Sequence, residues 1–337
     1  TQCAQLDQFV FEHKDFCIVV AAGNDGTDRD GDGRINPQSV SSPGTAKNCI
    51  TVGACENKRL DFNSKTYGKW WAKDFPVEPI KNDPMADNPD QVVAFSSRGP
   101  AKNNRIKPDI VAPGTFILST RSTMIAPNNM AWEAFPPSKM YFFMGGTSMA
   151  TPLTSGAAAI VREYLRKYKK IKKPTAALLK AAMITGAKRL QGYAPDSSIF
   201  DIHQGYGRVN LDAILLPAKP VSAEFIEVKK GIKTGEVWSI EINIMSDDAP
   251  LRICIAYSDY PGSSLVNNLN LVLSSPDGKR YAGNQPEGAP LSMDTNNNVE
   301  VIHIKKPVIG KYRIDVIGSN IPKGPQDFAL VYLGHIK

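Results

Sequence analysis

The sequence has no unbroken apolar run of about eighteen residues, so no stretch has the length and character of a membrane-spanning helix. Cysteine is sparse and odd in number. Cys3, Cys17, Cys49, Cys55 and Cys254 lack metal-ligand spacing, and at least one of the five has no partner within the chain. Cys17 and Cys49 sit in apolar strand-like runs, where a thiol behaves as a small hydrophobe. Thr1-Gln2-Cys3 does not have the form of a signal peptide. The net charge of +7 owes much to one run, Arg162, Arg166, Lys167, Lys169, Lys170, Lys172 and Lys173, which follows a predicted helix. Basic residues there complement the helix dipole on a solvated face, and nucleic-acid binding is not inferred from them.

What is present is a chain of 337 residues, long enough for a large core and a second module. Phe143-Met144-Gly145-Gly146-Thr147-Ser148-Met149-Ala150-Thr151-Pro152 sets one serine between a glycine-loosened turn and the run Leu153 to Val161, which reads as a buried helix with Pro152 in its first turn. Ser148 is either a simple N-cap or a nucleophile where main-chain N–H groups and the helix dipole favour developing negative charge. Leu6 to Phe11 reads as helix. Phe16 to Ala22 is a continuous apolar run of the kind found in a parallel strand covered on both faces. It ends at Gly23-Asn24, the carboxyl end of a strand, where open α/β sheets bind ligands and where asparagine also serves as a turn residue.

Alternate carboxylates in Asp28-Arg29-Asp30-Gly31-Asp32-Gly33-Arg34 match the first half of a calcium loop, with Asp28, Asp30, Asp32 and Arg34 as candidate ligands of a structural Ca2+. The twelfth position is Ser39 where such loops carry a bidentate Glu, so another segment would have to complete the shell; the alternative is a solvated acidic turn. From Asp61 to Gln91 no period is visible, which predicts a loop-like insertion packed onto the body by Trp70 and Trp71. After Pro217 to Pro220, a linker, short alternating runs recur at Val237 to Ile244, Leu251 to Ala256, Leu269 to Leu273, Val299 to Ile304, Tyr312 to Ile317 and Phe328 to Leu333. This spacing predicts an antiparallel β-sandwich or jelly roll. Asp294 with neighbouring asparagines is read as loop capping, with a second calcium site as the alternative.

Gly-Thr-Ser-Met-Ala-Thr-Pro at 146–152 resembles the nucleophile motif of the subtilisin-like serine proteases. Val20 to Asn24, Val40 to Ala46, Val92 to Pro100, Ile106 to Gly114 and Gly205 to Asn210 resemble further segments of that family in its order. The resemblance implies an α/β fold: the C-terminal part of a subtilisin-like parallel-sheet domain at 1–216, then the sandwich at 217–337. The latter resembles the C-terminal domain of KP-43-type alkaline subtilases through Asn267-Asn268-Leu269-Asn270 and Gly324-Pro325-Gln326. It also implies Ser148 as nucleophile, Asn24 as oxyanion donor and Thr147 in support. Ala21, Ala22 and Gly23 with Ser42, Pro43 and Gly44 would line the S1 side, with a cis Ser42–Pro43 bond. Met149 becomes a site where oxidation slows turnover. A secreted endopeptidase acting on protein or peptide substrates follows by family habit.

The family's acid and base are missing. No histidine lies in a His-Gly-Thr-His type of motif, and no aspartate stands in the strand context of the orienting acid. His13 reads as a surface residue, His203 as loop, and His303 and His335 as part of the distal module. The expectation is that Asp and His lie on an N-terminal fragment of the same protease that remains bound, with Thr1 marking a boundary. The rival is an inactive scaffold or binding module.

Overall fold

The computed structural model describes residues 2–191 and 199–337, and Thr1 lies outside them. Helix α1 (Gln2–Glu12) leads to β1 (Val19–Ala21), then β2 (Ile50–Cys55), the short helix α2 (Tyr67–Trp70) and β3 (Ile110–Pro113). These three strands form a parallel sheet in the order β1-β2-β3, with β2 buried along its whole length. β1 is an edge. It pairs with β2 from Val19 to Ala21, and its residues are half-buried. Strands β4 (Ile117–Thr120), β5 (Glu133–Ala134) and β6 (Tyr141–Met144) make a small antiparallel sheet that feeds α3 (Thr147–Lys167).

Helix α3 buries Thr147, Ala150, Thr154, Ala157, Ala158, Val161 and Leu165, one stripe at helical spacing. The expectation of a buried helix is corrected here: Leu153 and Ile160 are 45% and 50% exposed. The helix also starts at Thr147, so Pro152 lies in the second turn and not the first. Its missing N–H leaves the Ser148 carbonyl without an i+4 donor. Helix α4 (Ala176–Gly186) is buried at every residue but Ala177, as expected of a helix that is apolar nearly all round. It packs against α3 and the distal strands, and α5 (Leu211–Leu215) follows, capped by the Asn210 side chain on Ala213 N.

The distal strands are β7 (Ser222–Ile232), β8 (Val237–Ile244), β9 (Leu251–Ala256), β10 (Asn268–Ser274), β11 (Arg280–Ala282), β12 (Val299–Ile304), β13 (Gly310–Asn320) and β14 (Gln326–Gly334). They form two four-stranded antiparallel sheets, β11-β10-β13-β8 and β12-β9-β14-β7. Leu269, Leu271 and Ile314 from one meet Ile253, Ile255 and Leu330 from the other in a shared core. The other face of the second sheet presents Phe225, Cys254, Ala256, Val299, Val301 and Val331 to the core of the first part, so one apolar interior runs across both. The six alternating runs all fall in strands. β7, whose apolar residues are interrupted by Glu224, Glu227, Lys229 and Lys230, and β11, which is three residues long, lie outside those runs.

The insertion at 61–91 is ordered by one buried acid. Glu56, just past β2, accepts from Tyr67 Oη at 2.7 Å and from Asn88 N at 3.3 Å, and burial pushes its carboxyl up to about 9. It is therefore neutral at neutral pH, which removes the cost of an enclosed charge. The Asp294 reading as a loop cap is supported: Oδ1 accepts from Asn296 N and Asn297 N, and Oδ2 from Asn284 Nδ2 and Asn297 Nδ2. All five cysteines are free.

Candidate active site

The site is built where the carboxyl end of β1 meets the N-terminus of α3. Thr147 donates twice to Asn24 Oδ1, from its main-chain N at 2.9 Å and from Oγ1 at 3.0 Å. Two donors on one oxygen settle which end of the carboxamide faces Thr147, and they leave Nδ2 directed elsewhere as a donor. Thr147 is fully buried, whereas Asn24 and Ser148 are exposed.

Gly146 turns the chain into α3 with φ +133°, a conformation that L side chains rarely adopt. A Cβ placed there would lie 3.4 Å from Asn24 Nδ2 and 3.7 Å from Ser148 N. Both donors border the space left by the absent side chain, as does Asn24 Oδ1 at 3.6 Å, and the backbone φ, not crowding, is what calls for glycine there. Ser148 N belongs to the first helical turn, whose N–H groups have no helical carbonyl to bond, and the dipole adds partial positive charge. Two N–H donors converging on an open volume beside a serine hydroxyl can hold an oxyanion.

Ser42–Pro43 is cis, as expected. A Cβ on Gly44 would lie 3.1 Å from the Ala21 carbonyl, so Ser42 to Gly44 packs beside Ala21 to Gly23. The acidic loop is folded around Asp28, which is 1% exposed and accepts from Asp32 N and Gly33 N at 3.1 Å each. Asp28, Asp30 and Asp32 offer oxygens within 4.8 Å of one another, and Gly33 takes φ +79° in the sharp turn. Arg34 N donates to Asp32 Oδ1, and the Asp74 carbonyl packs on the loop by accepting from Asp28 N at 2.9 Å.

The histidines lie apart. His13 packs against Phe9 with the rings tilted by 43°, Arg98 Nε donates to His203 Nδ1, His303 is on β12, and His335 faces Asp248 after β14. Burial first, and then the neighbouring arginine, push His203 down to about 4. No hydrogen bond joins any histidine to Ser148 among the described residues. Unforeseen from sequence was a cleft of about 180 Å³ against Asn24, Gly145 and Gly146, walled by Trp71, Phe75, Phe95 and Trp132. Its walls come from segments far apart in the chain, so only their meeting in space reveals it.

A parallel sheet whose carboxyl end presents a carboxamide to a helix bearing an exposed serine defines an α/β protein with an anion-binding helix N-terminus as its candidate site. The chain belongs to the subtilase family, whose model matches residues 2–207. It is 27% identical over 98% of its length to the serine protease/ABC transporter B family protein tagD of Dictyostelium discoideum, covering 24% of that protein. It is 35% identical over 43% of its length to the serine protease AprX of Bacillus subtilis, covering 25% of it. With pyrolysin of Pyrococcus furiosus it shares 32% identity over 58% of this chain and 12% of that one. The chain therefore spans about a quarter or less of these relatives' lengths.

Proposed function

We propose that this chain carries the nucleophile and oxyanion half of a serine endopeptidase. In this reading Ser148 Oγ attacks the scissile carbonyl, while Asn24 Nδ2 and Ser148 N hold the oxyanion. The observation that carries it is the double donation from Thr147 to Asn24 Oδ1, which aims the free amide donor at the volume beside Ser148 N. Thr147 positions Asn24, and Ala21, Ala22 and Gly23 with Ser42, Pro43 and Gly44 line the S1 side.

The base and the orienting acid come from an upstream segment seated on β1. What supports this is the open edge: β1 has a partner on one side, and beside it Phe16, Cys17, Val19, Ala158 and Leu179 line a broad cavity of about 450 Å³. Phe16 is 54% exposed there. An apolar sheet edge without a covering strand invites pairing, and the missing strands of the sheet would satisfy it.

Asp28, Asp30, Asp32 and the Arg34 main chain hold a structural Ca2+ that pins the loop after Asn24. Three carboxylates this close repel unless a cation neutralises them, and hard oxygens suit calcium. Excess chelator should lower the melting temperature, corresponding to the loss of roughly 3–4 kcal/mol of binding linkage at 100–1,000 Kd of free metal. An unchanged melting temperature removes the ion from the account.

The boundary lies at 216/217, and the distal module is a sandwich of the KP-43-type subtilases. What supports a jelly-roll reading is its strand order, first-eighth-third-sixth in one sheet and second-seventh-fourth-fifth in the other. Secretion is assigned by family. The deciding experiment is labelling with a fluorophosphonate in a preparation shown by intact mass to contain the upstream segment. The expected product is one adduct on Ser148, lost in Ser148→Ala; a labelled-nowhere protein would make the fold a scaffold.

A further inference from the structure

We infer that the aromatic cleft beside Asn24 is a substrate subsite for a cationic side chain, lysine or arginine, close to the bond that is cut. This rests on the protease reading above and goes beyond it, because none of Ala21, Ala22, Gly23, Ser42, Pro43 or Gly44 lines this cleft, whereas Asn24 does.

Four aromatic residues and one aspartate are among its lining residues. Trp71 and Phe95 stand edge-to-face at 5.4 Å, Phe95 and Trp132 at 5.8 Å, and Trp71 and Phe75 at 6.3 Å. Such an arrangement fixes the rings against one another. Trp132 is held most firmly. Its main-chain N–H donates to the Phe143 carbonyl at 3.0 Å, and its ring covers Gly145 so closely that a Cβ there would come within 2.1 Å of it. The indole is thereby set on the same stretch of chain that presents Ser148, and the cleft cannot shift independently of the nucleophile.

The fifth wall residue is Asp74, half-buried, with no hydrogen bond or ion pair to its carboxylate among the described residues. No lysine or arginine is among the lining residues. Ring faces carry negative potential and attract a cation within about 6 Å of the centroid. The carboxylate adds a directional partner for an ammonium or guanidinium. An uncharged chain of the same length would fill the walls but leave Asp74 desolvated and unpaired, and an acidic one would be repelled. At about 180 Å³ the cleft takes a single side chain.

The test uses the full protein with its upstream segment and blocked peptides carrying either lysine or norleucine at each position flanking the scissile bond. At one position kcat/KM for lysine should exceed that for norleucine by about 10-fold or more, a scale set by one cation–π contact plus one charge pair. Asp74→Asn should bring that ratio toward one, and because it is a ratio, a general loss of activity cancels. Equal rates at every position, or a preference that survives Asp74→Asn, overturn the inference. Should the protein cut nothing, the protease reading fails and the cleft is tested separately by tryptophan emission. Trp70, Trp71 and Trp132 cluster here, leaving only Trp238 elsewhere. A saturable change with Nα-acetyl-lysine methylamide, absent with the norleucine analogue and in Asp74→Asn, upholds the site. No saturable change with either compound sinks it.

Discussion

Replacing Asn24 by alanine in the protein with its upstream segment bound is expected to lower kcat by about 10²–10³ while KM changes little. That scale is taken from the corresponding donor in subtilisin, a member of the same family. The asymmetry between kcat and KM follows from where the amide points. Asn24 Nδ2 faces the volume that an oxyanion would occupy beside Ser148 N, so its bond strengthens as the carbonyl becomes tetrahedral and contributes little to ground-state binding. Removing the Thr147 hydroxyl probes the same geometry at one remove. Thr147→Val deletes one of the two bonds that orient Asn24 Oδ1, and kcat should fall by about 10-fold, with Thr147→Ser restoring most of it. A positioning role would show as this rescue; a merely structural role would show as lost melting temperature with no kcat effect in the surviving fold. If Asn24→Ala raised KM and left kcat intact, the amide would be a substrate contact and the oxyanion assignment would fall.

The largest stability effect is expected at Lys47, which joins the two parts of the chain. Its ammonium is wholly enclosed, paired with Asp259 Oδ2 at 2.6 Å and donating to the carbonyls of Tyr260 at 2.7 Å and Ser264 at 2.9 Å. Around it, Asn48 Nδ2 donates to the Asp259 carbonyl while Asp259 N donates to Asn48 Oδ1, and Asn298 Nδ2 reaches the Lys47 carbonyl. These hydrogen bonds tie the loop before β2 to the connection between β9 and β10 and to Asn298 just before β12. Lys47→Met strands a buried carboxylate and should cost about 3–5 kcal/mol, read from the urea midpoint. The loss should sit near the lower end because Val266 N and Asn267 N still donate to Asp259. Adding Asp259→Asn removes the second charge, and the double variant should be more stable than Lys47→Met alone. A single-variant loss below about 1 kcal/mol would mean that the enclosed pair does not hold the parts together.

A second enclosed cluster works the same way inside the first part. Burial pushes the Asp109 carboxyl up, but the ammonium groups of Lys107 and Lys180, each at 2.9 Å, outweigh it and hold the group below the ordinary carboxylate range. Lys180 stands on the otherwise apolar α4 and also donates to the Cys49 carbonyl. A lysine within an apolar helical run looks like a surface residue in the sequence. Its partner lies at the foot of β3, seventy-one residues away by number (180 − 109 = 71), and no periodicity announces that pairing.

Local chemistry made part of the molecule readable from residues alone. The Gly145 to Pro152 string, the apolar run ending at Asn24 and the alternating runs after Pro220 each encode their own backbone behaviour, because glycine permissiveness, helix capping and side-chain period act over a few residues. Whether a helix face is covered does not act over a few residues. Leu153 and Ile160 look like core and are half-exposed, because what covers a face is set by elements distant in sequence.

The sequence by itself determined the family, the serine-bearing turn into α3 and the class of the distal strands, all of which rest on short-range preferences and contiguous motifs. Only the tertiary structure decided that Thr147 aims the Asn24 amide, that Trp71, Phe95, Trp132 and Asp74 enclose one cleft, and that Lys47 and Asp259 are shut in together. Each of these depends on side chains tens to hundreds of residues apart arriving at one place, and the free energy of that meeting resides in burial and charge pairing across the fold, which no local window contains.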